Sequence, residues 1–406
     1  MALVSALALV ILTGCSGHQA SGGDTAAGLA GLPIKLMVIT SLTGQITVRP
    51  EAGVGAQAAA AAINAAGGVR DPQGGPPRPL EVMVCDDRTN PNNAIDCAHQ
   101  AVEAGVVAVV GAFSFTDGAY LPVLSKAGIP SVANYPISAI ENSDPYSFPM
   151  SNWHIVNFAP STIAKSLGLT KLINIGIDTP TMRAASPLIE DFSNGLGMSS
   201  ETLYIPPNTK DFVPFAAQTA DAPDAALRSA MNGTQASLLL QALASQGVEP
   251  NERVIIQPAD VISPELLADG SFDGVYMFGS SLPATEMSNP GVRRYNEELD
   301  QYGDRKTPRN TIGIMAWAGT HIISQLLDQA PEITSAELVN QMRLAGEIRF
   351  EPIAPFDWSA PMVTDGALRG THGYASKIAI ARVVNGELKP VIDDFVRFDE
   401  VFRPNV

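Results

Sequence analysis

Small hydroxyls, amides and aromatic rings gather where the apolar runs of this chain end. Ser41-Leu42-Thr43-Gly44-Gln45 follows the run Ile34–Thr40, with Arg49 just beyond. Ser114-Phe115-Thr116-Asp117-Gly118 follows Val106–Gly111, and Asn134-Tyr135-Pro136-Ile137-Ser138 follows Pro130. Such groups suit reversible binding of a small polar molecule, because hydroxyls and backbone amides orient it and aromatic faces enclose it. Each neutral hydrogen bond contributes only about 0.5–1.5 kcal/mol net, so several must converge. Arg49 reads either as a guanidinium that meets an acidic ligand or as a solvent-facing loop charge. Trp153 and Trp317 read either as cleft walls or as packing residues.

Catalytic equipment is not apparent. The chain has no GxxxxGK[ST] and no GxGxxG after a strand, and Gly111-Ala112-Phe113-Ser114-Phe115 lacks the last glycine of a GxSxG elbow. The histidines His18, His99, His154, His321 and His372 are scattered, without the HxxxH or HxH spacing of a metal site. The acidic pairs Asp86-Asp87 and Asp393-Asp394 read as solvated loop residues, and Asn232-Gly233-Thr234 is formally a glycosylation sequon. We expect no enzyme, no cofactor and no metal.

The elements that must position these loops follow from length and pattern. At 406 residues the chain exceeds what one core usually spans, roughly 250–300 residues. Hydrophobic residues are 46% and charged residues 16%, which excludes a disordered chain. A net charge of −16 argues against nucleic acid or an anionic membrane surface as the partner. Short apolar runs alternate with longer Ala-rich ones, predicting strands at Ile34–Thr40, Leu80–Cys85, Val106–Gly111 and Pro130–Asn134 with helices between. The rhythm restarts after Met150 with strands at Lys171–Ile177, Ala225–Ala230, Val254–Gln257 and Val275–Gly279, and helices near Ser186–Leu196, Phe212–Thr219 and Gln235–Gln246. Three helices then run without strands, Pro290–Tyr302, Gly313–Gln329 and Ser335–Leu344, before a hairpin whose turn is Asn385-Gly386. Repeated β-then-α units imply α/β architecture with two doubly wound parallel sheets. Ligands of such sheets bind outside the carboxyl ends of the strands.

The N-terminus indicates a location. Met1 to Gly14 is almost entirely apolar and short, like the h-region of an export signal, and Leu12-Thr13-Gly14-Cys15 looks like a bacterial lipobox whose cysteine accepts a diacylglycerol. An ordinary signal peptide is the alternative. Residues 16–32 then form a Gly/Ala/Ser tether. With Cys15 lipidated, Cys85 and Cys97 remain as a pair in a compartment where disulfides persist; a bridge is expected, with two free thiols as the alternative.

Ser41-Leu42-Thr43-Gly44, Gly55 with Ile63-Asn64-Ala65-Ala66-Gly67-Gly68-Val69, Asp86-Asp87-Arg88-Thr89-Asn90-Pro91, Val109-Val110-Gly111 and Ala127-Gly128-Ile129-Pro130 recur in this order. The set resembles the type I periplasmic binding proteins, most closely the leucine/isoleucine/valine-binding branch of ABC importers. Lys210-Asp211-Phe212, Asp221 to Ala225 and Gln246-Gly247-Val248 extend the likeness. The resemblance implies two lobes joined by three crossovers near Pro149–Trp153, Ser280–Ala284 and Glu347–Pro355, closing on a ligand by hinge bending. Residues 33–151 and 283–348 would form lobe 1, and 152–282 and 349–406 lobe 2. It also implies a monomeric, lipid-anchored protein that hands a small solute to a permease and ATPase; amino acids of the branched-chain type come first, then amides and small carboxylic acids. A sensory module of the same fold, regulating a partner protein, is the alternative. The carboxylate of an amino-acid ligand would lie against Phe115, Thr116 and Pro136 to Ser138, with Phe115 where a small hydroxyl is expected. In lobe 2 the acid that meets an ammonium is replaced by Ala259, with Asp260 one place along, and Thr181-Met182 stands where a tyrosine is expected. The implied ligand set is Ser41, Thr43, Arg49, Ser114, Phe115, Thr116, Asn134, Tyr135, Ser138, Thr181, Met182, Asn232 and Asp260.

Overall fold

A computed structural model describes residues 29–44, 48–249, 253–259, 262, 264–363, 372–392 and 394–404. The apolar leader, Cys15, Asp260 and Asp393 lie outside them. The run IKLMVIT forms Ile34–Thr40 (β1), buried at nearly every position as a strand covered on both faces must be. It lies between Leu80–Asp86 (β2) and Ala108–Val110 (β3), and Ser131–Val132 (β4) and Ser147–Phe148 (β5) complete a parallel sheet in the order β2-β1-β3-β4-β5. Helices Pro50–Ala65 (α1), Pro91–Ala104 (α2) and Asp117–Ala127 (α3) make the returns. Asn64, near the end of α1, exchanges two hydrogen bonds with the backbone of Leu80, which pins the start of β2 to the helix before it.

Trp153–Ser166 (α4) leads into a second sheet built from Lys171–Ile177 (β6), Ser199–Ile205 (β7), Ala225–Ala230 (β8), Ile255–Pro258 (β9) and Tyr276–Gly279 (β10), all parallel. Pro180–Gly195 (α5), Val213–Ala220 (α6), Gly233–Ser245 (α7) and Pro264–Ala268 (α8) alternate with them. Pro290–Tyr302 (α9), Thr311–Gln329 (α10) and Ser335–Leu344 (α11) follow without strands. The nearly all-buried α10 lies on α1, and a Cβ on Gly55 would sit 2.4 Å from the Gly313 carbonyl oxygen, so only glycine permits this crossing. The chain then makes two short antiparallel pairs, Glu347–Ile348 (β11) with Phe356–Asp357 (β12) and Met362–Val363 (β13) with His372–Gly373 (β14). Lys377–Val384 (β15) and Glu387–Pro390 (β16) add antiparallel strands beside β10, with Asn385 and Gly386 both at positive φ in the turn, and Val396–Arg397 (β17) pairs with β15. The result is the α/β architecture of two doubly wound sheets.

Three segments that pass between the sheets lie side by side. Ser151 and Ser280 share a hydrogen bond of 2.8 Å, Ala354 N–H donates to the Ser280 carbonyl at 2.9 Å, and Leu282 N–H donates to the Pro352 carbonyl at 2.9 Å. Trp358 Nε1–H reaches the Pro149 carbonyl at 3.1 Å.

Some elements differ from expectation. Helix α4 carries Pro160 and is buried on all sides, so it shows no amphipathic stripe. Strand β7 is the polar run SSETLYI at a sheet edge. Helix α5 starts at Pro180 rather than near Ser186, because Thr179 Oγ1 accepts from Met182 N–H and caps it earlier. No helix among the described residues is long and apolar enough to cross a membrane.

Cys85 on β2 and Cys97 on α2 are joined by a disulfide, with Cα atoms 5.7 Å apart and a sequence separation of 12. Closing a loop of this length restricts the unfolded chain by about 3 kcal/mol. The Cys85→Ser/Cys97→Ser variant should therefore lose about 2–4 kcal/mol in denaturant unfolding. A change below about 1 kcal/mol would show that the strand–helix unit needs no bridge.

Candidate functional site

A cavity of about 340 Å³ opens between the two sheets. Its first wall comes from the loops after β3 and β4, where Phe113, Phe115, Tyr135, Pro136 and Ile137 face it. Phe113 holds Phe115 edge-on and Tyr135 tilted, each at 5.7 Å between centroids, so the three rings form one surface. The second wall combines one face of α4 (Trp153, Val156 and Asn157, at helical spacing) with Ile177, Thr179, Met182, Ala185, Ala230 and Pro258. Phe115 is 43% exposed, a large ring left in solvent at the cavity edge. Trp153 is buried against the cavity, whereas Trp317 is fully buried elsewhere and donates to Glu298.

Among the described residues, one charged side chain lines this apolar space. Arg228, on β8 two residues before Ala230, faces the same side of the strand and is 2% exposed. Its Nη1 donates to Asn174 Oδ1 at 2.7 Å, directly across the β6–β8 register, and its Nη2 donates to the Val156 carbonyl at 3.0 Å and to Asn157 Oδ1 at 3.5 Å. Asn174 in turn donates to Thr202 Oγ1 on β7, which extends a polar ladder over three strands. Arg228 Nε has no acceptor, and no carboxylate among the described residues pairs with this guanidinium. Burial pulls its pKa down to about 10, so it still carries its charge at neutral pH.

The hydroxyl-rich loops of the first lobe have a different occupation. Asp87 is fully buried, a correction to its reading as a solvated loop residue. Ser41 Oγ donates to its Oδ1 at 2.6 Å, Ser114 Oγ and Thr116 Oγ1 donate to its Oδ2, and Thr89 N–H closes the set. These donors satisfy a buried carboxylate that would otherwise be costly. Thr43 Oγ1 donates to Asp86 at 2.6 Å. Burial opposes the Asp86 charge, yet Thr43 and the amides of Arg88, Thr43 and Leu42 hold its carboxyl below the ordinary range.

Asn134 and Ser138 also serve the loop rather than face the cavity. Asn134 Nδ2 donates to Glu141 Oε1 at 3.0 Å, Ile137 N–H donates to Glu141 Oε2 at 2.8 Å, and Ser138 Oγ donates to Asp117 Oδ2 at 2.5 Å. Two buried carboxyls thus fix the segment that presents Tyr135, Pro136 and Ile137. Burial and the nearby Asp117 charge push the Glu141 carboxyl well above its ordinary value of 4.5, and burial raises Asp117 as well. A raised carboxyl leaves full stability below pH 4.5 and removes it as pH climbs toward the folded-state value, because only the unfolded chain releases the proton. The melting-temperature difference between Glu141→Gln and wild type should therefore move in favour of the variant from pH 4.5 to 8. A constant difference would mean that Glu141 ionises in the folded protein as it does in the unfolded chain.

Of the remaining candidates, Phe115, Tyr135 and Met182 meet at the cavity. Thr181 sits in the first turn of α5. Arg49 is mostly buried: its guanidinium lies 5.3 Å from the Phe113 ring centre, its Nη1 is 3.3 Å from Glu51 Oε1, and its Nε lacks a partner among the described residues. Asn232 is exposed and caps α7 by accepting from Gln235 N–H at 2.9 Å. Asp260 falls outside the described residues. Sequence reading missed Arg228, although a lone arginine inside the run AALRSA was its visible signal. Among the described residues no cluster of three His, Cys, Asp or Glu side chains is arranged to hold a metal.

Comparison with known proteins matches residues 33–387 to the periplasmic binding protein family. No curated protein sequence matches the chain. Among solved structures, an extracellular ligand-binding receptor from Verminephrobacter eiseniae is 15% identical with a TM-score of 0.71, covering 88% of this chain and 99% of its own. A fatty acid ABC transporter substrate-binding protein from Thermomonospora curvata is 17% identical with a TM-score of 0.71, covering 94% and 98%. An ABC transporter solute binding protein from R. palustris, in complex with benzoate, is 13% identical with a TM-score of 0.68, covering 92% and 100%. At such identities the likeness carries the fold, and the ligand must be read from the cleft itself. By the family match over most of its length and by its two-sheet architecture, the chain belongs to the type I periplasmic binding proteins.

Proposed function

We propose that the protein is the extracytoplasmic substrate-binding component of an ABC importer, capturing a small organic solute with an apolar body and delivering it to the permease. The observation that carries this reading is the aromatic cavity walled by strand-end loops of both sheets. A ligand seated there touches both lobes at once and so favours the closed state by differential affinity. The side-by-side crossovers at 149–153, 280–284 and 347–355 are the hinge in this reading, dividing lobe 1 (33–151 and 283–348) from lobe 2 (152–282 and 349–406). Phe115, exposed at the edge, is the ring that closure would bury. Lipidation of Cys15 would hold the protein at the membrane, and it would work as a monomer.

In this reading the solute is an acid or amide rather than the branched-chain amino acid expected first. No carboxylate among the described cavity residues stands ready for an ammonium, and an unpaired buried ammonium is costly. A thermal-shift screen of small organic acids, amides and amino acids tests the reading. Binding to the native state alone raises stability by about 2.7 kcal/mol at a hundredfold excess over Kd. Absence of a shift with every compound would remove the solute-binding role.

A further inference from the structure

We propose that Arg228 is the anion receptor of the cleft, and that the solute is a monocarboxylate whose body is a single aromatic ring or a short alkyl chain. The inference rests on the solute-binding reading above and adds the ligand's charge and orientation.

Three observations on different elements carry it. First, Arg228 lines the cavity while 2% exposed, and its Nε–H is without an acceptor among the described residues. Buried charges are normally paired, so a buried guanidinium held, among the described residues, by two side-chain amides and one carbonyl is an incomplete arrangement. A carboxylate completes it, because its two oxygens match the planar fork of the guanidinium. Second, Asn174 and Val156 fix the guanidinium from opposite sides, a strand and a helix, so little side-chain freedom remains to be lost on binding.

Third, the other end of the cleft has its hydroxyl donors already engaged and accepts an apolar body. The hydroxyls of Ser41, Ser114 and Thr116 are committed to the buried Asp87, and Asp117 and Glu141 stand behind the Tyr135 loop. A carboxylate turned toward lobe 1 would find these described hydroxyls already donating to Asp87 and Asp117. Turned toward lobe 2 it meets Arg228, and its ring or chain then lies on Phe113, Phe115 and Tyr135. An α-ammonium beside that carboxylate would approach the guanidinium charge among apolar neighbours. The cavity volume of about 340 Å³ sits near the low end of the range for small-molecule sites, roughly 300–1,000 Å³, which suits a body of this size.

The test pairs each acid with a neutral or zwitterionic counterpart: phenylacetate with phenylacetamide and phenylglycine, hexanoate with hexanamide and norleucine. Binding to the wild-type protein is followed by calorimetry and by tryptophan fluorescence, since Trp153 faces the cavity. The acid should bind at least tenfold more tightly than its amide, and the deaminated acid more tightly than the amino acid. Arg228→Gln should level acid and amide, and Arg228→Lys should recover part of the preference, because it restores charge without the fork. Amides or amino acids that bind as tightly as the acids would overturn the inference and leave solute binding standing. The same holds if Arg228→Gln, folded by its melting curve, keeps the acid preference. Failure of every compound to bind would overturn the solute-binding reading together with the inference.

Discussion

Arg228→Met should lose at least tenfold in affinity for phenylacetate while its ligand-free form unfolds within about 1 kcal/mol of wild type. The affinity loss follows from hydrogen bonds to a charged group, which contribute about 1.5–3 kcal/mol. The stability result follows from two opposing effects. Removing a buried cation that has no carboxylate partner relieves desolvation, and apolar replacements of buried ions are often neutral or stabilising by about 1–4 kcal/mol. Against this, Asn174 Oδ1 and the Val156 carbonyl lose their donor, at about 1–3 kcal/mol for a buried unsatisfied group. A guanidinium kept for structure would behave otherwise, and its loss would cost about 3–5 kcal/mol as breaking a buried pair does. Denaturant titration beside calorimetry separates the two roles.

Gly111→Ala should destabilise lobe 1 by about 2–5 kcal/mol, although it adds one methyl group. Gly111 directly follows β3 with φ at +62°, where an L side chain is strained, and a Cβ there would lie 2.3 Å from Ala316 Cβ and 2.5 Å from its Cα. The neighbour is the backbone of α10 and cannot rotate away. Gly105 provides the control: its φ is +65° and nothing lies within 4 Å of its would-be Cβ. Gly105→Ala should therefore show the backbone term alone, about 1–2 kcal/mol. Equal losses in the two variants would mean that α10 yields to the intruding methyl. Because Ala112 and Phe113 follow Gly111 directly, Gly111→Ala should also weaken solute binding.

Much of the fold was legible because burial on both faces writes itself as continuous apolar runs. Ile34–Thr40, Lys171–Ile177, Ala225–Ala230 and Lys377–Val384 fall where those runs fall. Edge position hid Ser199–Ile205, since a strand with one free flank tolerates alternating polar residues. Complete burial and Pro160 hid Trp153–Ser166, which has no polar face to set a helical period. Phe115 and Tyr135, which line the cavity, stood out as aromatic groups at strand ends, whereas Met182 was named only through the family resemblance. The hydroxyls were readable as donors but not as donors to Asp87, which reaches Ser41 and Ser114 across 46 and 27 residues of sequence. Arg228 was visible as a residue type, yet its meaning depends on burial and on the absence of a described acidic partner, and neither is a property of the local sequence.

Solution scattering of the wild-type protein, with and without saturating phenylacetate, tests the central claim that an apolar acid is captured by closing two lobes over it. The account predicts a smaller radius of gyration with the acid, and for Arg228→Met a higher acid concentration, by at least tenfold, to reach the same decrease. Stoichiometric binding of the acid with an unchanged radius of gyration would contradict it.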